Sequence, residues 1–270
     1  MNKIKAAGLT PVTIEGAERN VIGVTGNTAS LDIRQLRADK TISEVLRVSE
    51  PYKLANRSFH PDNTQIQVDD QIIGGERLAI MAGPCSVEGE EEIISIAKRM
   101  KLAGANFLRG GAFKPRTSPY SFQGLELEGL RLLQLAKRET GLPIVSELMS
   151  AEYIMSEGNP NVILCERGIR TFETETRNAL DIQAVPVMKK KTHLPIIVDP
   201  SHAAGQAYLV PAGAKAGVAA GADGLMIETH ADPENAWSDG EQSLTPDEFD
   251  KVMEQIAVLA QVEGRTVPEK

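Results

Sequence analysis

Apolar residues gather along this chain in two kinds of stretch. The first kind is short and nearly continuous: Leu78 to Ala82, Asn106 to Leu108, Pro143 to Glu147, Val162 to Cys165, Pro195 to Asp199 and Leu225 to Glu228. Runs this short and this apolar predict parallel strands buried on both faces. The second kind is amphipathic and predicts helices. One is opened by Ser86 ahead of Glu88, Glu90, Glu91 and Glu92, and another runs from Leu125 to Glu139 and stops at Gly141. Part of Glu173 to Lys190, Val210 to Ala220 and Asp247 to Ala260 complete the set. Carboxylates in a first turn suit the positive end of a helix dipole, and Thr245-Pro246-Asp247-Glu248 reads as a capping box with proline at the first helical position. Alternating strands and helices predict an α/β fold. Polar or charged residues just beyond nearly every strand make a barrel the first choice. The first strand runs into Gly83-Pro84-Cys85-Ser86 and not a G-x-G-x-x-G turn, which argues against a dinucleotide site.

A closed barrel of this kind needs eight strands, and only six are legible. The shortfall can be placed. Between Glu147 and Val162 only Ser150 to Glu157 favours helix, and at ~1.5 Å per residue that spans roughly 12 Å, about half a normal crossover. The segment reads as a splice between turns that were not neighbours. Ahead of the barrel, Lys3 to Gly8 looks like the last turns of a helix. Val12 to Ile14 and Asn20 to Val24 look like strands, Ile33 to Arg37 like a helix, and Glu44 to Val48 like a strand. The division expected is a small α+β unit over 1–50, a linker over 51–76 carrying Pro51 and His60-Pro61-Asp62-Asn63, and the barrel-derived unit over 77–270.

Composition narrows the class. Four Tyr, six Phe and one Trp in 270 residues leave the core to aliphatic side chains. Two cysteines give no disulfide framework and fit a reducing compartment. A net charge of -8 argues against a nucleic-acid surface. No apolar run reaches membrane-spanning length and the first residues lack a secretory apolar segment, so a cytoplasmic protein is expected.

Locally the charge reverses. From Ile93 to Leu125 there are six basic residues and no acidic one. Lys98, Arg99 and Lys101 fit a solvated helix face, whereas Arg109, Lys114 and Arg116 follow a strand beside Gly110-Gly111, which lets backbone approach a ligand. An anionic small molecule is the partner this implies. Cys85, His202, Glu228 and Asp239 form a candidate S, N, O, O set for a borderline divalent metal. From spacing alone the signal is weak: Cys85 could be a small core residue, His202 a core or capping histidine, and Asp239 before Gly240 a turn residue. His230 could join the set or stand behind it. Asp199 reads as an orienting residue, and Arg167 is the choice for the anion pocket. Arg170 has a place there or in a pair with Glu173, and Arg177 and Asn178 fit a helix surface equally well. Cys165 reads as core, and His60 and His193 as structural or surface-exposed.

Taken together, Gly83-Pro84-Cys85-Ser86-Val87-Glu88, the run from Arg109 to Gly124 containing Lys114-Pro115-Arg116-Thr117-Ser118, the run Cys165 to Phe172, and Asp199-Pro200-Ser201-His202 resemble 3-deoxy-D-arabino-heptulosonate 7-phosphate (DAHP) synthases. The resemblance is to the class with a ferredoxin-like domain ahead of a (β/α)8 barrel. The related 3-deoxy-octulosonate 8-phosphate synthases share Gly-Pro-Cys but not the Lys-Pro-Arg-Thr-Ser run. The resemblance implies condensation of phosphoenolpyruvate with erythrose 4-phosphate at the entry to the shikimate pathway. It further implies a divalent metal (Mn, Fe, Zn or Co) on Cys85, His202, Glu228 and Asp239, with His202 and Lys114 also catalytic. Arg109, Lys114 and Arg167 would contact phosphoenolpyruvate, Arg116 and Thr117 the phosphate of the aldose, and Glu147 would orient water or substrate. An aromatic amino acid as effector and a homo-oligomer are further expectations, with no nucleic acid and no membrane. Two departures stand out. About fifty residues carrying two strand-helix units of the family pattern are missing near Met149 to Ala151, and the amino-terminal unit lacks its first strand. Weak or absent turnover is therefore expected, and the competing readings are a 3-deoxy-octulosonate 8-phosphate synthase-like enzyme and a non-catalytic phosphometabolite-binding remnant.

Overall fold

The computed structural model describes residues 1–14, 20–25, 28, 31, 33–45, 54–58, 60–113, 124–145, 155 and 159–269. The amino-terminal unit consists of α1 (Asn2–Ala6), β1 (Thr10–Ile14), β2 (Val21–Thr25) and α2 (Ile33–Arg37). β1 and β2 pair antiparallel with Thr10 opposite Thr25, and Ile4, Leu9 and Leu36 are buried. The helix expected over 33–37 is α2. Of the strand expected over 44–48, Glu44 and Val45 lie in irregular chain and the remainder is outside the described residues.

The stretch read as linker holds more structure than its composition suggested. β3 (Ile66–Val68) and β4 (Gln71–Ile73) form an antiparallel hairpin turning at Asp69-Asp70, with Asp69 at φ 54°. Ile66 and Ile73 are buried in a cluster with Ala79, Met81, Phe107, Ile197 and Met226. The hairpin therefore closes the lower end of the barrel-derived unit, held there by Asn106 Nδ2 donating to Gln71 Oε1 at 3.0 Å and by a 2.6 Å pair between Lys137 and Asp69.

That unit runs β5 (Ala79–Gly83), α3 (Glu90–Leu102), β6 (Phe107–Arg109), α4 (Glu126–Thr140), β7 (Ile144–Val145), β8 (Leu164–Glu166), α5 (Ala184–Lys191), β9 (Ile196–Val198), α6 (Pro200–Ala204), α7 (Val210–Ala219), β10 (Gly224–Glu228) and α8 (Pro246–Val262). Six parallel strands lie in the order β7-β6-β5-β10-β9-β8. The first and last strands are hydrogen-bonded neighbours, as in a closed barrel. β7 and β8, consecutive in the chain, are instead the two outer edges. The barrel is thus half-open at the place where the strand count falls short.

Side chains alternate across this curled sheet with the two-residue period of a strand. Leu78, Ile80, Ala82, Leu108, Ile196, Val198, Leu225 and Ile227 pack outward against α3, α4, α7 and α8. Ala79, Met81, Phe107, Ile197 and Met226 pack inward. Continued by two residues, the inward register brings Arg109 and Glu228 to the top of the interior, at the carboxyl ends of the strands. Packing this close leaves no room for side chains at Gly83 and Gly224: a Cβ at either would come within 2.1 Å or 2.2 Å of a backbone oxygen of the adjacent strand.

Two readings are corrected here. Cys165 is exposed although it lies in an apolar run. It pairs with the inward-facing Ile197, but β8 is an edge strand, and no further strand among the described residues covers it. Ser86 does not cap α3, which begins four residues after it, at Glu90, with Gly89 as N-cap. Ser86 is buried, bridges to Gly111 and shares a 2.5 Å hydrogen bond with Ser238.

Candidate metal centre

The carboxyl ends of three strands, β5, β9 and β10, bring the predicted ligands together. Cys85 follows β5, His202 sits on α6 after β9, Glu228 ends β10, and Asp239 lies in the loop beyond it. One potential ligand atom from each of the four lies within 4.8 Å of the others. Cys85, His202 and Glu228 are buried and Asp239 nearly so. From residues 154 positions apart, Cys85 Sγ donates to Asp239 Oδ2 at 2.9 Å.

Each ligand is oriented by its own local chemistry. Asp199 caps α6, accepting from the His202 N–H at 2.9 Å, and Pro200 occupies the first helical position. Its second oxygen lies 2.6 Å from His202 Nδ1. A carboxylate there fixes the proton on Nδ1 and turns Nε2 toward the centre. Burial alone would lower the His202 pKa, but the Asp199 and Cys85 hydrogen bonds and the Asp199 and Glu228 charges outweigh it and raise the value to about 9. Burial also pushes the Asp239 carboxyl up, and Cys85, Arg177 and His202 together bring it down to about 2.

Glu228 is the innermost member. Its backbone N–H donates to Ser201 Oγ at 3.0 Å, and its Oε2 accepts from the Gln242 amide. Oε1 is buried without a hydrogen-bond partner, although Arg109 Nη1 and His202 Nε2 approach it at 2.7 and 3.1 Å outside hydrogen-bond geometry. A buried, negatively charged oxygen beside an imidazole nitrogen and a thiol is what a divalent cation would complete. The set of one sulfur, one nitrogen and two oxygens suits a borderline ion better than a hard one. The residues present fit the metal.

The other candidates divide clearly. Arg109 is at the site but wholly buried, donating to Pro84 O at 2.9 Å as well as facing Glu228. Arg167 lies just beyond β8 and is exposed. Lys114, Arg116, Thr117 and Glu147 lie outside the described residues. His230 stands behind the centre and not in it: its Nε2 is 3.5 Å from Glu92 and 3.7 Å from Glu88. Arg170 donates to the backbone oxygen of Arg177. His60 and His193 stack at 4.4 Å between ring centroids, with His193 bonded to Thr64 and Leu54, a structural pair as read. Sequence reasoning missed Gln242 and left Arg177 open between the pocket and a helix surface. Arg177 instead lies in irregular chain between β8 and α5 and reaches Asp239 at 2.9 Å. Both border an open cleft of about 740 Å³ next to the centre.

Fold and site together define a barrel-derived α/β protein whose candidate metal ligands converge at the carboxyl ends of its strands. The chain belongs to the DAHP synthetase I family, whose model matches residues 62–152 and 148–262, and residues 1–50 match the DAHP synthase ferredoxin-like domain. The two pieces of the first match meet where the sheet is open. A phospho-2-dehydro-3-deoxyheptonate aldolase of Thermotoga maritima is 40% identical over 303 aligned positions, covering 93% of this chain and 90% of that protein. Since 93% of 270 residues is about 251, some fifty aligned positions of that relative have no counterpart here. The crystal structure of a Thermotoga maritima DAHP synthase superposes with a TM-score of 0.77 at 37% identity, covering 98% of this chain and 93% of the other. A truncated form of the Thermotoga maritima synthase gives 0.71 at 36% identity over 80% and 98%. A 2-dehydro-3-deoxyphosphooctonate aldolase of Syntrophotalea carbinolica is 28% identical, covering 74% of this chain and 98% of its own length.

Proposed function

We propose that this chain catalyses, at a reduced rate, the condensation of phosphoenolpyruvate with erythrose 4-phosphate to DAHP and phosphate. The observation that carries the reading is the convergence of Cys85, His202, Glu228 and Asp239 at the open end of a DAHP synthase-type sheet. These four would hold a divalent cation (Mn, Fe, Zn or Co). Bound there, the cation supplies Lewis-acid polarisation of an aldehyde carbonyl.

The remaining chemistry belongs to the chain. Asp199 keeps His202 in one tautomer, and Arg109 sets a fixed positive charge beside the reacting region, preorganised and shielded from water. Arg167 and Lys114 would hold phosphoenolpyruvate, Arg116 and Thr117 the phosphate of the aldose, and Glu147 the water. Carbon 3 of phosphoenolpyruvate bonds to the aldehyde carbon, whose oxygen takes up a proton. Water adds at carbon 2, and the C–O bond breaks to release inorganic phosphate. The amino-terminal unit would read an aromatic amino acid as effector, and the protein would assemble as a homo-oligomer.

The reduced rate follows from the open sheet. Among the described residues no strand joins β7 to β8, so the interior is open there, and Arg167 on the β8 side meets water, where charge interactions weaken. Losing preorganised contacts to a reacting anion costs roughly 10²–10³ in rate for each. Phosphate release with both substrates and Mn²⁺ tests this. Release that needs the aldose, is abolished in Cys85→Ser and runs at least a hundredfold below a full-length relative is expected. Turnover equal to the relative contradicts it. Calorimetric binding of phosphoenolpyruvate without any turnover would establish the non-catalytic reading, which the same open edge favours.

A further inference from the structure

The loop between β8 and α5 does not simply return to the helix layer. Ile169 and Ala179 bridge antiparallel, and the strip between them lies along α6. Arg177 N–H donates to Ala204 O at 3.1 Å and Asn178 N–H to Ala203 O at 2.9 Å, while Asn178 Nδ2 donates to His202 O at 3.1 Å. Gly168 and Gly205, at φ 91° and 71°, make this docking possible. A Cβ on Gly168 would come within 2.7 Å of the Asn178 Cβ, and one on Gly205 within 2.6 Å of the Arg177 Cβ.

So placed, Arg177 Nη1 meets two acceptors at once: Asp239 Oδ1 at 2.9 Å and Gln242 Oε1 at 2.8 Å. Accepting at Oε1 orients the Gln242 amide, whose Nε2 then donates to Glu228 Oε2. One oxygen of each carboxylate is thereby occupied. The oxygens facing the centre are Asp239 Oδ2, 2.9 Å from Cys85 Sγ, and Glu228 Oε1, 3.1 Å from His202 Nε2 and 2.7 Å from Arg109 Nη1.

We infer that Arg177 and Gln242 form a positioning pair that selects which oxygen each metal-binding carboxylate presents, holding both ligands monodentate. The inference rests on the metal-centre reading above. Removing an outer partner of this kind weakens metal affinity by roughly 10- to 100-fold.

The test is titration of the purified full chain with Co²⁺ alone, following the thiolate-to-cobalt and d–d absorption, with the melting temperature of the metal-free protein as a folding control. Arg177→Met and Gln242→Met are each expected to weaken Co²⁺ binding 10- to 100-fold and to alter the d–d envelope. Arg177→Lys should restore part of the affinity, and the double variant should lose less than the two single losses combined, because the residues act in series. Should Arg177→Met fail to fold, Gln242→Met alone decides. A lowered melting temperature with parental Co²⁺ affinity and spectrum would mark the pair as merely structural and overturn the inference. Cys85→Ser separates the two levels. If it binds Co²⁺ as the parent does, the metal centre itself is misassigned. If it loses binding while the Arg177 and Gln242 variants keep it, only the positioning role fails.

Discussion

Arg109 Nη1 lies 2.7 Å from Glu228 Oε1, and both side chains are shut off from solvent. Two charges buried together are costly to separate, because whichever remains is left uncompensated in a poor dielectric. Replacing Arg109 with Met should therefore destabilise the metal-free protein by about 3 kcal/mol. A divalent cation offsets the same charge, so saturating Mn²⁺ should recover much of the loss. Urea unfolding of parent and variant with and without Mn²⁺ measures both effects. An equal loss in both conditions would show that Glu228 does not face the cation.

The His202 imidazole, raised to about 9, makes the metal-free protein sensitive to alkali. A histidine with a raised folded-state value gives its full stabilisation below the unfolded value near 6.5 and loses it as pH climbs through 9. Stability should fall by roughly 2–3 kcal/mol across that window in metal-free protein. A bound cation requires neutral imidazole, so loading at pH 7.5 should release at least one proton, detectable in weak buffer. No release, together with a flat stability profile, would contradict the assignment.

Glu92 behaves oppositely to an ordinary carboxylate. Both of its oxygens are buried without hydrogen-bond partners on the first turn of α3, with His230 Nε2 3.5 Å from Oε1. Burial lifts it to about 6, with Glu88 adding to the rise and His230 opposing it. Because the folded state holds the proton more tightly, stability falls as pH rises from 4.5 through 6. Glu92→Gln should then be more stable than the parent at pH 7.5, by about 1 kcal/mol once solvent screening and the lost helix-dipole contact are subtracted. At pH 4.5 the two should melt together. A variant less stable at pH 7.5 would show that His230 already compensates Glu92.

Cys165, on the open edge, and Cys85, in the centre, differ in access. A thiol reagent should modify one cysteine quickly in native protein, and Cys165→Ser should abolish that fast phase. Cys85 should react only on unfolding. Two slow thiols would mean that the β8 edge is covered.

How far the sequence could be read varies with the physics. Strands β5, β9 and β10 announce themselves because burial on both faces demands unbroken apolar runs, and α8 because its capping box is written in four consecutive residues. The open sheet was legible as a missing length of chain. The hairpin over Ile66 to Ile73 was not, since only two of its residues are fully buried and its turn is two aspartates. Cys165 misled because an apolar run says what a strand prefers and not whether a neighbour exists. The metal ligands were only weakly marked by spacing, since closing the sheet through β5 and β10 is what brings Cys85 beside Asp239. Arg177 and Gln242 left no local signal. Their roles depend on a loop docking against α6, and the glycines that permit it resemble ordinary turn residues.

Diffraction at the manganese absorption edge from crystals of the full chain grown with Mn²⁺ tests the central claim directly. One anomalous peak within about 2.0–2.4 Å of Cys85 Sγ, His202 Nε2, Glu228 Oε1 and Asp239 Oδ2 is predicted. A peak elsewhere, or none at saturating Mn²⁺, would contradict it.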